Sequence, residues 1–166
     1  LVDTIRELIP LAPLHNPANL EGIEVARSRY PDTPQVAVFD TAFHATHDPL
    51  ARRLAIPRAL HDQGIRRYGF HGLSYRHIAD ALNRTDLPAD ARVVAAHLGS
   101  GASLCAMQGG ISRDSSMGFS TLDGIPMATR CGALDPGVLL HLLGPMGWTL
   151  DRVERMLYHE SGLLGV

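Results

Sequence analysis

Lysine is absent from this chain, and all 15 of its permanent cations are arginines. A P-loop holds nucleotide phosphates with a lysine side chain, and Schiff-base enzymes use a lysine amine as the nucleophile. These 166 residues therefore cannot supply either kind of site.

Cysteine is scarce as well. The two cysteines, Cys105 and Cys131, are far apart and do not form a Cys-x-x-Cys pair. Zinc ribbons and thioredoxin-type redox sites need such pairs, so neither is predicted. We expect two reduced, buried thiols, as is usual for a cytoplasmic protein.

Long apolar runs and an excess of one charge are also missing. No stretch of about 18 apolar residues occurs, so no membrane-spanning helix is predicted. The formal net charge of −2 gives no electrostatic reason to expect nucleic acid or an anionic membrane as a partner. The opening LVDTIRELIP lacks the basic region of a signal peptide, and with the abrupt closing HESGLLGV it predicts the middle of a longer chain.

The chain does contain alternating strand and helix patterns. Apolar runs predict strands at residues 36–39, 93–97 and 103–107. An Asn-Pro or Asp-Pro pair predicts helix starts at residues 16, 48 and 135, the second helix ending at Pro57. Apolar spacing predicts further helices over 73–83 and 149–162. This alternation predicts an α/β fold.

A Gly-Ser-Gly break separates the last two predicted strands, in the stretch HLGSGAS. Gly99 and Gly101 would expose backbone N–H groups with no Cβ to keep a ligand away, which suits a phosphate. A plain hairpin turn is the alternative. His97, just before the break, is either part of such a site or a half-buried histidine.

Two further stretches carry candidate functional groups. In YGFHGLS, His71 lies between Gly69 and Gly72 and leads into a helix, so it is either a ligand-facing or a turn histidine. In AVFDTAFH, Asp40 ends a predicted strand, where ligands of open α/β sheets bind and a carboxylate faces a cation or a metal. A strand-end turn residue is the alternative for Asp40.

The spacing of His44, His47 and Asp48 is similar to that of some metal ligands. We predict no metal site, because the histidines are loosely spaced and Asp48 is explained as a helix cap. The polar, glycine-rich segment 109–132 is predicted to be irregular, and such segments are usually functional. Its later half carries one cation, Arg130. Together with Asp40, the histidines and the glycine hairpin, it suits phosphoryl transfer, which needs positioning and charge stabilisation.

Five ordered stretches resemble the acetate kinase (acetate and propionate kinase) family: PLHNPANLEGI, AVFDTAFH, YGFHGLSYRHIA, HLGSGASLCAMQGG and MGFSTLDGIPMATRCGALDPG. The resemblance implies the α/β, ribonuclease-H-like or actin-like ATPase fold of the actin, hexokinase and Hsp70-like superfamily, here incomplete. Residues 1–42 would be the tail of the first α/β domain. Residues 43–166 would be the front of the second, with a phosphate hairpin at 93–110 and a glycine-rich loop at 113–132.

The same resemblance implies a reversible transfer of the ATP γ-phosphoryl group to acetate, giving acetyl phosphate and ADP, with Mg²⁺ or Mn²⁺. It implies three catalytic residues: Arg130 and His71 on the transferring group, and Asp40 near metal and phosphates. It implies ATP-phosphate binding by His97, Leu98, Gly99, Ser100 and Gly101. It implies an acyl pocket of Leu14, Phe70 and Thr121, and no metal ligand within this chain.

The chain departs from the family pattern in several places. Ser100 stands where the family's phosphate loop has Asn, and Thr121 where many members have Pro. The family's first strand with its lysine loop, its adenosine-binding glycine segment and its late metal-binding Glu have no counterpart. The chain is therefore predicted to be an incomplete, inactive portion of a cytoplasmic homodimer, with no nucleic acid or membrane partner. Two alternatives are a propionate kinase of the same family and a nucleotide-binding remnant without catalysis.

Overall fold

The chain divides into two units, Leu1–Val38 and Phe39–Val166, in a computed structural model that describes residues 1–11 and 15–166. The domain boundary predicted at residues 42 and 43 stays a prediction. In the part of the chain that is described, the longest helix has 14 residues, and none of the helices has the length and apolarity needed to cross a membrane.

The first unit consists of short helices. Helix α1 is Val2–Glu7, a 3₁₀ turn follows at Ile9–Leu11, and helix α2 is Asn16–Arg29. Asn16 was predicted as the cap of α2 but is its first residue; its side-chain amide donates to the Leu8 carbonyl at 3.0 Å.

The strand predicted at residues 36–39 is wrong. This segment is irregular, and the side chains of Val36 and Val38 are 83% and 67% exposed. A strand needs a neighbour to pair its backbone groups, and the ladders of the described residues all lie between Arg92 and Ser115. Asp40 therefore follows a non-strand segment.

The helix predicted from Asp48 is also wrong. Residues 49–52 form turns, and the next helix, α3, is Arg58–Asp62. The Asp48 carboxylate accepts a bond from the Leu50 N–H at 2.8 Å, which closes a local turn. The Arg52 carbonyl accepts from the distant Arg67 N–H at 2.8 Å, and this bond competes with helical pairing.

The second unit contains an antiparallel sheet in the order β1-β2-β3. Strand β1 is Arg92–Leu98, β2 is Ala102–Gln108 and β3 is Ile111–Ser115. The first two strands confirm the predicted pair. β3 corrects the prediction that residues 109–132 are wholly irregular, because Gly109 and Gly110, with φ of 58° and 72°, form a two-residue hairpin turn.

Helix α4, Gly72–Leu82, packs on one face of this sheet. Tyr75 and Ala79 of the helix form a core with residues of the sheet and of the 3₁₀ turn Ala42–Thr46: Phe43, Ala95, Cys105 and Met107. A second, smaller core joins Ala102, Met117 and Met127, with Phe70 and Ile125 packed against it.

Two helices follow the glycine-rich segment. Helix α5 is Pro136–Leu143, and Asp135 caps it as predicted by accepting from the Gly137 N–H at 2.8 Å. Helix α6 is Leu150–His159, capped by Thr149. Of the two thiols, Cys105 is buried and Cys131 is partly buried, and both are free.

Candidate active site

The backbone of His71 is held in a rare conformation at the start of α4. Its φ of 58° and ψ of 25° are left-handed, which is uncommon for a residue with a Cβ. The Asp40 carboxylate accepts from the His71 N–H at 2.5 Å and from the Leu73 N–H at 3.3 Å. A methyl group at Gly72 would lie 1.9 Å from the Asp40 carbonyl oxygen, so this approach requires glycine. Asp40 therefore fixes the helix start and His71 together.

A buried histidine pair holds the other end of the Phe70–His71 peptide. The Phe70 carbonyl accepts a bond from His44 Nε2 at 2.9 Å. His44 Nδ1 and His47 Nε2 lie 2.9 and 2.8 Å from the hydroxyl oxygen of Ser112, which both rings share. A methyl group at Gly69 would lie 2.5 Å from the His44 ring, so the loop before His71 packs tightly on this pair.

Burial favours the neutral form of both rings. It lowers the pKa of His44, and it lowers the pKa of His47 to about 4, with the neighbouring His44 adding to the shift. From the sequence, His44 and His47 are considered only as metal ligands, and that interpretation is rejected. The packing role of the pair depends on Ser112, 65 residues from His47, which no local pattern indicates.

The His71 ring contacts a hydroxyl group and a second imidazole ring. Its Nδ1 lies 2.8 Å from the Ser103 hydroxyl, which lies 2.5 Å from the Tyr75 hydroxyl. The His97 ring stacks on it, with centroids 4.0 Å apart, and His97 Nδ1 lies 3.0 Å from the Ser74 hydroxyl. Sequence reasoning named both histidines but missed these hydroxyls. One feature of the sequence could have indicated Ser103. It is a polar residue at a core-facing position of β2, and it lies opposite His97 in the ladder.

The glycine hairpin meets His71 and Arg130 at Gly101. A methyl group there would lie 3.3 Å from Arg130 Nη1 and 3.4 Å from His71 Nε2. Neither Gly99 nor Gly101 has a left-handed φ, so space rather than backbone conformation explains glycine at position 101. The bare turn therefore faces one guanidinium and one imidazole.

The Arg130 loop is tied to the residues after α6. The Met127, Ala128 and Thr129 carbonyls accept from the N–H groups of Leu163, Leu164 and Ser161, at 2.8, 3.1 and 3.0 Å. The Ala128 N–H donates to the Ser100 carbonyl at 3.3 Å, which joins this loop to the hairpin. Arg130 Nη1 donates to the Thr121 carbonyl at 3.2 Å. The backbone bonds of its loop and the bond to the Thr121 carbonyl therefore fix the position of the Arg130 guanidinium.

Of the residues named from the sequence, the structure brings together Asp40, His71, His97, Gly101 and Arg130. The side chain of Leu98 is 76% exposed and Ser100 at the turn is exposed. Phe70 packs on the core formed by Ala102, Met117 and Met127, and Thr121 contributes its carbonyl to Arg130. Leu14 lies outside the described residues.

The chemistry of this cluster suits an anion. It combines a guanidinium, an imidazole nitrogen and a turn with two glycines, while the nearby Asp40 carboxylate is engaged by backbone N–H groups. Across residues 1–11 and 15–166, no three His, Cys, Asp or Glu side chains come together as a metal site.

Comparisons with known proteins identify the fold. The family model described as the Acetokinase family matches residues 1–166. The chain is 53% identical over 163 residues to an acetate kinase of Methylocella silvestris, covering 98% of this chain and 40% of that protein. It is 51% identical over 168 residues to an acetate kinase of Ectopseudomonas mendocina, covering 99% of this chain and 43% of that protein.

Solved structures agree with the sequence comparisons. The chain superposes on a propionate kinase from Francisella tularensis with a TM-score of 0.89 and 42% identity, covering 99% of this chain and 43% of that structure. An acetate kinase from Entamoeba histolytica gives a TM-score of 0.91 and 40% identity, with the same two coverages.

The fold is an α/β portion of the fold shared by acetate and propionate kinases, which confirms the predicted fold class. The chain belongs to the acetokinase family. It spans about two fifths of the length of the curated relatives it matches.

Proposed function

We propose that the cluster of His71, Gly101 and Arg130 is the phosphoryl-transfer site of an acetate kinase. The observation that carries the proposal is the convergence of Arg130 Nη1 and His71 Nε2 on the bare backbone of Gly101. In the proposed reaction a carboxylate oxygen of acetate forms a bond to the γ-phosphorus of ATP. The bond from that phosphorus to the bridging oxygen breaks, and ADP leaves. The reverse reaction makes ATP from acetyl phosphate.

Each residue has a distinct part in this proposal. Arg130 places its positive charge on the transferring phosphoryl group, a contribution typically worth about 10³ to 10⁵ in rate. His71 donates a hydrogen bond to the same group. The hairpin from His97 to Gly101 presents backbone N–H groups to the ATP phosphates, and the exposed Ser100 hydroxyl can add a donor.

Asp40 has a positioning part in the proposal. Its two carboxylate oxygens accept from the backbone N–H groups of His71 and Leu73 at the start of α4, and this arrangement holds His71 in its left-handed conformation. No cluster of three candidate metal ligands exists among the described residues, so a Mg²⁺ ion would be held mainly by the ATP phosphates and water. The family resemblance supports Mg²⁺ as the ion that accompanies ATP.

Two alternatives have specific support. Similarity to the Francisella tularensis propionate kinase favours propionate as a second acceptor. One methylene in an apolar pocket separates the two acids by only about 10- to 200-fold. The convergence of a guanidinium and an imidazole on Gly101 would also suit a nucleotide-binding remnant without turnover. The resemblance also supports a cytoplasmic homodimer without nucleic acid or membrane partners.

The test measures acetyl phosphate formation from ATP, Mg²⁺ and acetate. The chain is assayed alone and as a chimera in which it replaces the matching segment of the Methylocella silvestris acetate kinase, with which it is 53% identical. We expect an active chimera that Arg130→Ala slows by about 10³-fold or more. The matched control is Arg113→Ala, an exposed arginine on β3, which should leave the rate within about twofold.

The results of this test distinguish the proposed kinase site from the two alternatives. An active chimera that keeps its rate in Arg130→Ala would contradict the site assignment. A chimera that binds ATP but makes no acetyl phosphate would favour the remnant. Activity of the chain alone would contradict the prediction that it is an inactive portion. Rates on acetate and propionate compared in one chimera would decide the acceptor.

A further inference from the structure

Two buried hydroxyl groups lie next to the Nδ1 atom of the His71 ring, whereas the Nε2 atom of the ring faces Gly101. Ser103 and Tyr75 are both 0% exposed, so their polar hydrogens have no water to bond. The Ser103 hydroxyl lies 2.8 Å from His71 Nδ1 and 2.5 Å from the Tyr75 hydroxyl. A buried hydrogen left without an acceptor costs about 1–3 kcal/mol, so the arrangement of these hydrogens is constrained.

Counting donors and acceptors gives one arrangement that uses both hydroxyl hydrogens within this group. Ser103 has one hydrogen and lies between two partners. If Tyr75 donates to Ser103, then Ser103 can donate to His71 Nδ1, and both hydrogens are bonded. If His71 Nδ1 were the donor instead, either the Ser103 or the Tyr75 hydrogen would be left without a partner in this group and would need a further acceptor in the core.

The surroundings of Tyr75 support the first arrangement. Burial raises the pKa of Tyr75, so the phenol keeps its hydrogen and remains a donor. The ring itself is held by the core, stacked with Phe43 at a centroid distance of 6.4 Å. The hydroxyl therefore has a fixed position relative to Ser103.

We propose that Tyr75 and Ser103 are positioning residues that hold neutral His71 as the Nε2–H tautomer. In this tautomer Nδ1 accepts from Ser103, and the single N–H of the ring is on Nε2, which faces Gly101 and Arg130. The catalytic consequence rests on the proposed function, since the donor would then meet the transferring phosphoryl group. The tautomer itself is a property of this chain and can be measured without turnover.

The direct test is nitrogen NMR of the imidazole rings in the 166-residue chain labelled with ¹⁵N. Protonated and bare ring nitrogens differ widely in shift, so the spectrum reports the tautomer of neutral His71, recorded at a pH where its shifts no longer change. We expect Nε2–H as the major form. In Ser103→Ala the hydroxyl that donates to Nδ1 is lost, and the share of the Nδ1–H form relative to Nε2–H should rise about fivefold.

The matched control is Ser116→Ala. Ser116 accepts from the Leu104 N–H at 2.9 Å, so this change also removes one hydrogen-bonded serine hydroxyl, but not the one bonded to His71 Nδ1. It should leave the His71 tautomer ratio unchanged. A major Nδ1–H form in the unmodified chain would overturn the proposal, and this measurement needs no variant to fold. An unchanged ratio in a folded Ser103→Ala chain would overturn it as well.

Kinetics of the chimera separate this proposal from the proposed function. If both hold, Ser103→Ala should lower kcat by up to about threefold, as the Nε2–H fraction falls, with little change in the KM for ATP, and Ser116→Ala should leave both kcat and KM unchanged. A chimera without phosphoryl transfer whose His71 is still Nε2–H would contradict the proposed function and leave the tautomer assignment standing. An active chimera with a major Nδ1–H form would contradict the assignment alone.

Discussion

At the scale of single residues, His71 is held from three directions. Asp40 accepts from its N–H, His44 donates to the carbonyl before it, and Ser103 bonds its ring. A non-glycine residue in the left-handed region costs about 1–3 kcal/mol and persists only where its surroundings fix it. The three contacts supply that fixation, which is why we place the reacting group beside this histidine.

The sequence predicted part of this arrangement. Asp40, His71 and Arg130 stand in recognisable local patterns, because glycines and turn residues flank them. Ser103, Tyr75 and Ser112 do not, because each acquires its role through a contact across 28 residues or more. Such contacts depend on strand register and helix packing, which a local pattern does not contain.

The buried pair His44 and His47 gives a prediction about pH. The pKa of His47 is about 4 in the folded chain, against an ordinary value of 6.5. The unfolded chain therefore binds more protons between these values, so the free energy of unfolding should fall as the pH is lowered from 6.5 to 4. The loss from His47 alone should approach about 3 kcal/mol, measured by urea unfolding at several pH values.

Other charged groups face His47 and must be considered. His44 and the arginines Arg52 and Arg67 oppose its protonation, while Asp114 favours it. His47→Gln isolates its share, because the glutamine amide can still donate to Ser112 but cannot titrate. This variant should lose much of the pH dependence. His77→Gln, at an exposed position of α4, should keep it. An equal pH dependence in both variants would contradict the prediction.

At the scale of elements, the predictions held where local chemistry decides the outcome. The Asp-Pro start of α5, the apolar spacing of α4 and α6, and the strands β1 and β2 are all present. The wrong predictions concern segments whose secondary structure depends on a hydrogen-bond partner distant in the sequence. Residues 36–39 have strand composition without a ladder, and the Arg52 carbonyl is taken by Arg67.

The start of α4 gives a prediction at this scale. A methyl group at Gly72 would lie 1.9 Å from the Asp40 carbonyl oxygen and 3.0 Å from Phe43 Cβ. Gly72→Ala should therefore push the helix start away from Asp40 and cost more than about 2 kcal/mol of unfolding free energy. Urea denaturation followed by circular dichroism would measure this cost.

The control for this substitution is Gly22→Ala in α2. A methyl group at Gly22 meets nothing within 4 Å, and alanine is the better helix former by up to about 1 kcal/mol. The two changes should therefore have opposite signs. A neutral Gly72→Ala would mean that the Asp40 approach does not constrain the start of α4.

At the scale of the whole molecule, the sheet of the second unit is covered unevenly. Helix α4 packs on one face, and Val93 on that side packs against the core. The adjacent Val94 points to the other face and is 73% exposed, and Ala96 and Leu98 on the same face of β1 are exposed as well. An apolar sheet face normally lies against another layer, so this face should favour association.

Substitutions of two neighbouring valines should therefore distinguish an effect on association from an effect on the free energy of unfolding. Val94→Thr should reduce concentration-dependent association in sedimentation velocity and lower the binding of an apolar dye, with the unfolding free energy within about 0.5 kcal/mol. Val93→Thr puts a hydroxyl against the core and should cost about 1–2 kcal/mol without reducing association. Because the side chains are identical and adjacent, composition and strand propensity are matched. Equal effects of the two substitutions on association would show that the exposed face of β1 does not drive it.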